Sequence, residues 1–143
     1  MAYSTALAAL CSLGAAAIHF AVAPEHFEEW WGYGLFFLTI ASFQSLYAVG
    51  LLASQVWNER VPWYRLIGIF ANLLIIGTYV VTRTTGIPWL GPEAGEVEAV
   101  GVPDVVSKSL ELMLVLFLIS GLSPISRRNR VAFSIGSRAR TKG

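Results

Sequence analysis

Apolar residues fall in four long blocks along the chain, at about 3–23, 34–57, 62–82 and 104–122. Each block approaches the roughly 20 residues that a helix needs to cross a hydrocarbon core of about 30 Å. Backbone groups in lipid are satisfied only within a helix or around a closed barrel. Uninterrupted apolar runs such as 112–119 lack the two-residue alternation of a barrel strand, so the blocks predict helices. The reading is an all-α membrane protein. Residues 1–124 form an antiparallel bundle of four transmembrane helices, and 125–143 form a basic tail.

The first block could also be read as a secretory leader, because Ala21-Val22-Ala23 resembles a cleavage triplet. A leader needs Lys or Arg ahead of a shorter apolar run, and neither condition is met. The block is therefore taken as a span.

Orientation follows from Lys and Arg beside the spans. Arg60, Arg65, Arg127, Arg128, Arg130, Arg138, Arg140 and Lys142 fall on one side, and Arg83 and Lys108 on the other. This places the loop 58–61, the tail and both termini in the cytoplasm. The acidic loops then lie outside a cell membrane crossed four times. Trp30, Trp31, Trp57, Trp63 and Trp89 sit at or near span ends, where amphipathic rings favour the headgroup layer.

The linking segments differ in character. Residues 24–31 read as a short helix in the outer interface, since Pro24 suits a helix start and Glu25 suits its positive end. Segment 83–103 holds four glycines and three prolines and cannot be regular helix. Its apolar residues, among them Ile87, Trp89 and Leu90, predict an ordered outer cap. The tail carries six basic residues and no acid, a pattern that serves orientation and attraction to anionic lipid. With only Phe133 to stack on a base, it gives no reason to expect nucleic acid as a partner.

Composition sharpens this picture. Only 13% of residues are charged, about half the usual share of a soluble domain. The single cysteine, Cys11, excludes a disulfide framework or thiolate cluster within one chain. Phosphate-binding loops, the His-Glu-x-x-His zinc motif and the Gly-x-Ser-x-Gly nucleophile motif are absent. Neither histidine has the Glu three residues before it that a carboxylate-bridged di-iron bundle requires.

The candidate chemistry therefore rests on a few ionisable residues. His19 lies on the small-residue stripe Ala8, Ser12, Ala15, Ala16, which lets helices approach closely and turns His19 inward. An ionisable residue within a span marks a functional site or a neutral group hydrogen-bonded to a neighbouring helix. Asp104, Lys108 and Glu111 share one face of the fourth helix. That spacing allows an Asp104–Lys108 surface pair, with Glu111 about 10 Å deeper than Asp104 by helical rise. Buried so, Glu111 is either protonated or paired, and His19, Arg83 and Lys108 stand at similar depth as partners. Outside the core, His26 and Glu29 share a helix face beside Glu25 and Glu28, either as a solvated face or as ligands for one divalent ion. His19 and His26 are about 10.5 Å apart along a straight helix, so a joint site with Glu111 requires a bend at Pro24. Gln44, Tyr47, Asn72, Thr78 and Thr82 read as interhelical hydrogen-bonding groups.

The stretch Thr85-Gly86-Ile87-Pro88-Trp89-Leu90-Gly91-Pro92-Glu93-Ala94-Gly95-Glu96-Val97-Glu98 resembles a loop of a family of small four-helix bacterial integral membrane proteins. Gly101, Asp104 and Glu111 extend the resemblance, and it reaches His19, Pro24, Glu25 and His26. It implies the four-helix topology and carries no activity.

Three functions compete. One is an outer vestibule of His19, His26, Glu29 and Glu111, supported by Glu25, Arg83 and Lys108, that holds a divalent metal or a small polar ligand. Another is a non-catalytic accessory subunit, in a homo-oligomer or a larger membrane complex. An enzyme or proton-coupled transporter comes third, with no catalytic residue to name.

Overall fold

The computed structural model describes residues 2–56 and 62–122. They form four helices: α1 (Ala2–Glu29), α2 (Trp31–Val56), α3 (Pro62–Thr84) and α4 (Val102–Leu122). All four are long and apolar enough to cross a membrane. The loop 58–61, Trp57 and the basic tail lie outside the described residues.

Helix α1 continues through Pro24 to Glu29, so residues 24–29 are its last turns and not a separate interfacial helix. Proline removes one backbone donor from a helix interior. Here α1 stays helical beyond it, packed along both α2 and α4. A single residue, Trp30, joins α1 to α2, and its carbonyl accepts from Tyr33 and Gly34 in the first turn of α2.

The buried positions of α1 are Thr5, Ala8, Ala9, Cys11, Ser12, Ala15, Ala16, His19 and Ala23. They recur about every 3.5 residues, the repeat of a coiled-coil seam. On α2 the matching stripe is Ile40, Ala41, Gln44, Tyr47, Ala48 and Leu51. Alanines on both sides bring the backbones together. Lipid is as apolar as leucine, so this close packing and interhelical hydrogen bonds supply the association that burial from water would supply elsewhere.

Helix α4 packs against α1 and α3. Its Leu114 and Leu118 fill the interior beside Leu51, Cys11 and Ala8. Helix α3 buries little beyond Gly68 and Asn72 and presents Leu66, Ile67, Phe70, Leu73 and Leu74 outward. It meets α2 through Tyr64, whose ring stacks on Tyr47 at 4.8 Å between centroids. Each tyrosine hydroxyl donates to the other's backbone carbonyl, Tyr47 at 3.1 Å and Tyr64 at 3.2 Å. Arg65 donates to Thr5 at 2.6 Å and ties α3 to α1 near the same end.

Between α3 and α4 the chain folds into a cap. Gly86, at φ 68°, turns it away from α3 while its N–H returns to the Val81 carbonyl at 3.0 Å. The Glu98 N–H returns to Thr82 at 3.2 Å, and the Tyr33 hydroxyl donates to the Leu90 carbonyl at 3.0 Å. These bonds fasten the cap to the end of α3 and the start of α2.

Two glycines of α3 predict opposite behaviour. A Cβ on Gly68 would overlap the Tyr47 ring and hydroxyl, whereas one on Gly77 meets nothing within 4 Å. Gly68→Ala is expected to cost about 1–3 kcal/mol and lower the unfolding midpoint in detergent. Gly77→Ala is expected to leave it unchanged or raise it, since alanine is the better helix former.

Candidate functional site

The site begins with Glu111, a carboxylate with no exposed surface on a helix bounded by lipid. Leaving such a charge without partners is expensive, so its hydrogen bonds need a full account. His19 Nε2 of α1 lies 2.9 Å from Oε1. Gln44 Nε2 of α2 donates to the same oxygen at 3.1 Å. Lys108 Nζ, one turn earlier on α4, donates to Oε2 at 2.6 Å. Helix α3 enters through Asn72, whose Oδ1 accepts from Gln44 Nε2 at 3.3 Å and whose Nδ2 donates to the Gly68 carbonyl at 2.8 Å. Ser12 closes the back of the network by donating to the Gln44 carbonyl at 2.7 Å. All four helices thus meet around one carboxylate.

Glu111 and Lys108 form an ion pair within one turn of α4. A neutral His19 bonded to an ionised Glu111 would carry its proton on Nε2 and leave Nδ1 an acceptor. Nδ1 is buried and has no protein partner.

Above this network, nearer the cap, Arg83 pairs with Glu98 of the cap and with Asp104 of α4, the latter at 2.9 Å. Asp104 Oδ2 also accepts the Gly101 N–H at 2.9 Å, at the start of α4. The expected Asp104–Lys108 pair is therefore replaced by two others, Asp104 with Arg83 and Lys108 with Glu111. Arg83 does not reach Glu111. Both cations lie over the Tyr79 ring, with Arg83 Cζ at 5.2 Å and Lys108 Nζ at 5.7 Å from its centre.

His26 and Glu29 form a separate pair, Nδ1 to Oε2, at 2.7 Å. The His26 ring stacks on Phe37 at 4.1 Å and 3°, and the His19 ring meets the same Phe37 at 5.6 Å. Glu25 is exposed on α1. Thr78 and Thr82 bond to carbonyls of their own helix and not across helices, whereas Gln44 and Asn72 do bond across. Phe37 and Tyr79 carry no signal in the sequence, where they are two aromatic residues among many in the spans.

Two adjoining cavities open over these groups. The inner one, about 110 Å³, is walled by Tyr33, Phe36, Phe37, Ile40, Ile75 and Tyr79, with His19, Arg83 and Lys108 among its polar lining. The outer one, about 400 Å³, lies against Glu25, His26, Glu29, Glu93 and Asp104. His19, His26, Phe37 and Arg83 line both.

The metal expectation gains no support from this geometry. Among the described residues no three His, Cys, Asp or Glu side chains converge as a metal-holding group. Glu111 already accepts three hydrogen bonds, and the unbroken α1 keeps His26 paired with Glu29. The His19–His26–Glu111 triad that a bend at Pro24 would have allowed is not formed.

The buried pair predicts a pattern of stabilities. Lys108→Met or Glu111→Gln alone should destabilise the fold by about 3–5 kcal/mol, because each strands the opposite charge. The double variant should recover much of that loss, giving strong coupling in a double-mutant cycle of thermal unfolding in detergent.

Comparison with protein-family models, with curated proteins and with solved structures returns no match, so the chemistry of this site is argued from its own residues.

Proposed function

We propose that this chain is a multi-pass protein of the cell membrane whose outer vestibule binds a small polar ligand without a resident metal. The observation that carries this reading is His19. It is 3% exposed, lines both cavities and has an unpartnered Nδ1. A residue serving only to hold helices together needs no access to a cavity. His19 is held by Glu111 on one nitrogen, and its side chain also borders both cavities. The aromatic wall and the few convergent polar groups match the usual make-up of ligand sites.

In this reading the four helices run antiparallel, with both termini in the cytoplasm and the cap outside. Two observations support it. Eight of the ten Lys and Arg residues are Arg60, Arg65 and the six of the tail. In addition, His26 late in α1, Tyr33 early in α2, Arg83 late in α3 and Asp104 early in α4 line one cavity. The vestibule then faces the extracytoplasmic side. The leucine-filled interior on Leu51, Leu114 and Leu118 separates it from the other face, which favours binding over conduction through one chain.

Sidedness is checked by placing single cysteines in a Cys11→Ala background. An impermeant maleimide should label Gly95→Cys on intact cells and label Ser137→Cys only after permeabilisation. Binding is checked by saturation-transfer NMR with a panel of anionic, neutral and cationic compounds of at most six heavy atoms. At least one compound should give a signal that His19→Ala and the cavity-filling Thr78→Trp both remove. Silence across the whole panel, with both variants folded, would leave the accessory-subunit reading in its place.

A further inference from the structure

Three carboxylates at the cap end of the bundle share two cations. Glu98 and Asp104 both pair with Arg83, and Glu111 pairs with Lys108. Taken in order, Glu98, Arg83, Asp104, Lys108 and Glu111 alternate in sign from the cap to the buried core, where Glu111 meets His19 at 2.9 Å. One step in this series is open. Asp104 and Lys108 are not paired, although they lie one turn apart on the same face of α4, a spacing that suits an ion pair.

Lys108 therefore has a carboxylate on either side, Asp104 a turn nearer the cap and Glu111 a turn deeper. The two choices are closely matched. Glu111 is the more deeply buried, but it keeps two further donors in His19 and Gln44. Asp104 without Arg83 would keep only the Gly101 N–H. Arg83 decides between them. It satisfies Asp104 at 2.9 Å, and it stands over the same Tyr79 ring as Lys108, so like-charge repulsion turns the ammonium toward Glu111. The lysine stem is flexible enough to reach either carboxylate. Arg83 is also the cation that holds the cap, through Glu98. Ile87 and Leu90 of that cap line the inner cavity, so its seating and the roof of the cavity are one matter.

From this juxtaposition of one lysine between two carboxylates and one arginine shared with the cap, we infer that Arg83 is the selector of a partner-exchange switch. With the cap seated, Arg83 holds Asp104 and Lys108 stays on Glu111. With the cap lifted, Arg83 follows Glu98, Lys108 crosses to Asp104, and Glu111 is left to His19 and Gln44. The position of the outer cap is thereby read at the buried carboxylate, by one element that both ends bias. The switch needs no ligand and stands whether or not the vestibule binds one.

The test follows the His19 imidazole by 15N NMR of full-length protein in detergent, with the resonances assigned by comparison with His26→Gln. Arg83→Met should move the His19 resonances, because Asp104 then competes for Lys108. Arg83→Met/Asp104→Asn should return them to the wild-type position, since Lys108 has no second carboxylate to choose. Asp104→Asn alone should leave them in place. A purely structural Arg83 predicts no such rescue. The cap is displaced separately with Gly91→Val, which touches none of the paired charges. A Cβ at Gly91 would lie 2.4 Å from the Tyr33 hydroxyl, at a φ of 76° that a β-branched residue resists. Amides of 86–98 should then exchange about fivefold faster or more, the factor for losing one hydrogen bond. The His19 resonances should move as in Arg83→Met, and adding Asp104→Asn should cancel the movement. If Arg83→Met does not fold, the Gly91→Val pair decides alone. The switch is overturned if His19 keeps its wild-type resonances in Arg83→Met, or if the double variant stays displaced. It is equally overturned if the cap loosens in Gly91→Val without moving His19.

Discussion

Everything in this bundle is arranged around the cost of burying the Glu111 carboxylate. A charge surrounded by helices and lipid has no water to turn to, so its stabilisation comes from groups that the fold delivers to it. Lys108 supplies the countercharge from the same helix, and His19 and Gln44 supply donors from α1 and α2. Asn72 orients Gln44 from α3. Apolar helices in lipid have no hydrophobic reason to prefer one rotation over another. The partners of Glu111 set that rotation. Each helix has to present one polar residue at one depth, and the small-residue stripes of α1 and α2 then pack where that condition leaves them.

The two halves of the bundle consequently do different work. Toward the cap the interior is polar and hollow, with ion pairs at Arg83 and a chamber beside His19. Below Glu111 it is filled by Leu51, Leu114, Leu118 and the stacked Tyr47 and Tyr64. His19 borders the hollow half, while Glu111 lies behind it with no exposed surface. The polar network that borders these cavities through His19 and Lys108 is also the brace of the fold.

Much of this was legible in the chain. The four spans follow from apolar length alone, because lipid imposes helix on any such run. The meeting of His19 and Glu111 was legible too, since an ionisable residue in a span must find another. The choice of partner for Lys108 was not. Asp104 and Glu111 lie on its own face in opposite directions, and the outcome turns on Arg83 arriving from α3 to take Asp104. The end of α1 was misplaced at Pro24 because proline marks helix starts more often than interiors. Here α2 and α4 pack along α1, and stacking of His26 on Phe37 adds a contact beyond the proline. Phe37 itself could not be singled out, since aromatic residues are common in spans and only the folded chain places one against two imidazoles.

The connection at Trp30 has a consequence for how this protein tolerates change and how it is made. With one residue between two spans, no slack exists to absorb an insertion or deletion. One extra residue there would turn α2 by about 100° relative to α1 and carry Gln44 away from Glu111. The same brevity gives the membrane-insertion machinery no loop to translocate between the first span and the second. The first two spans thus form a hairpin whose small-residue seam is set by the shortest possible connection.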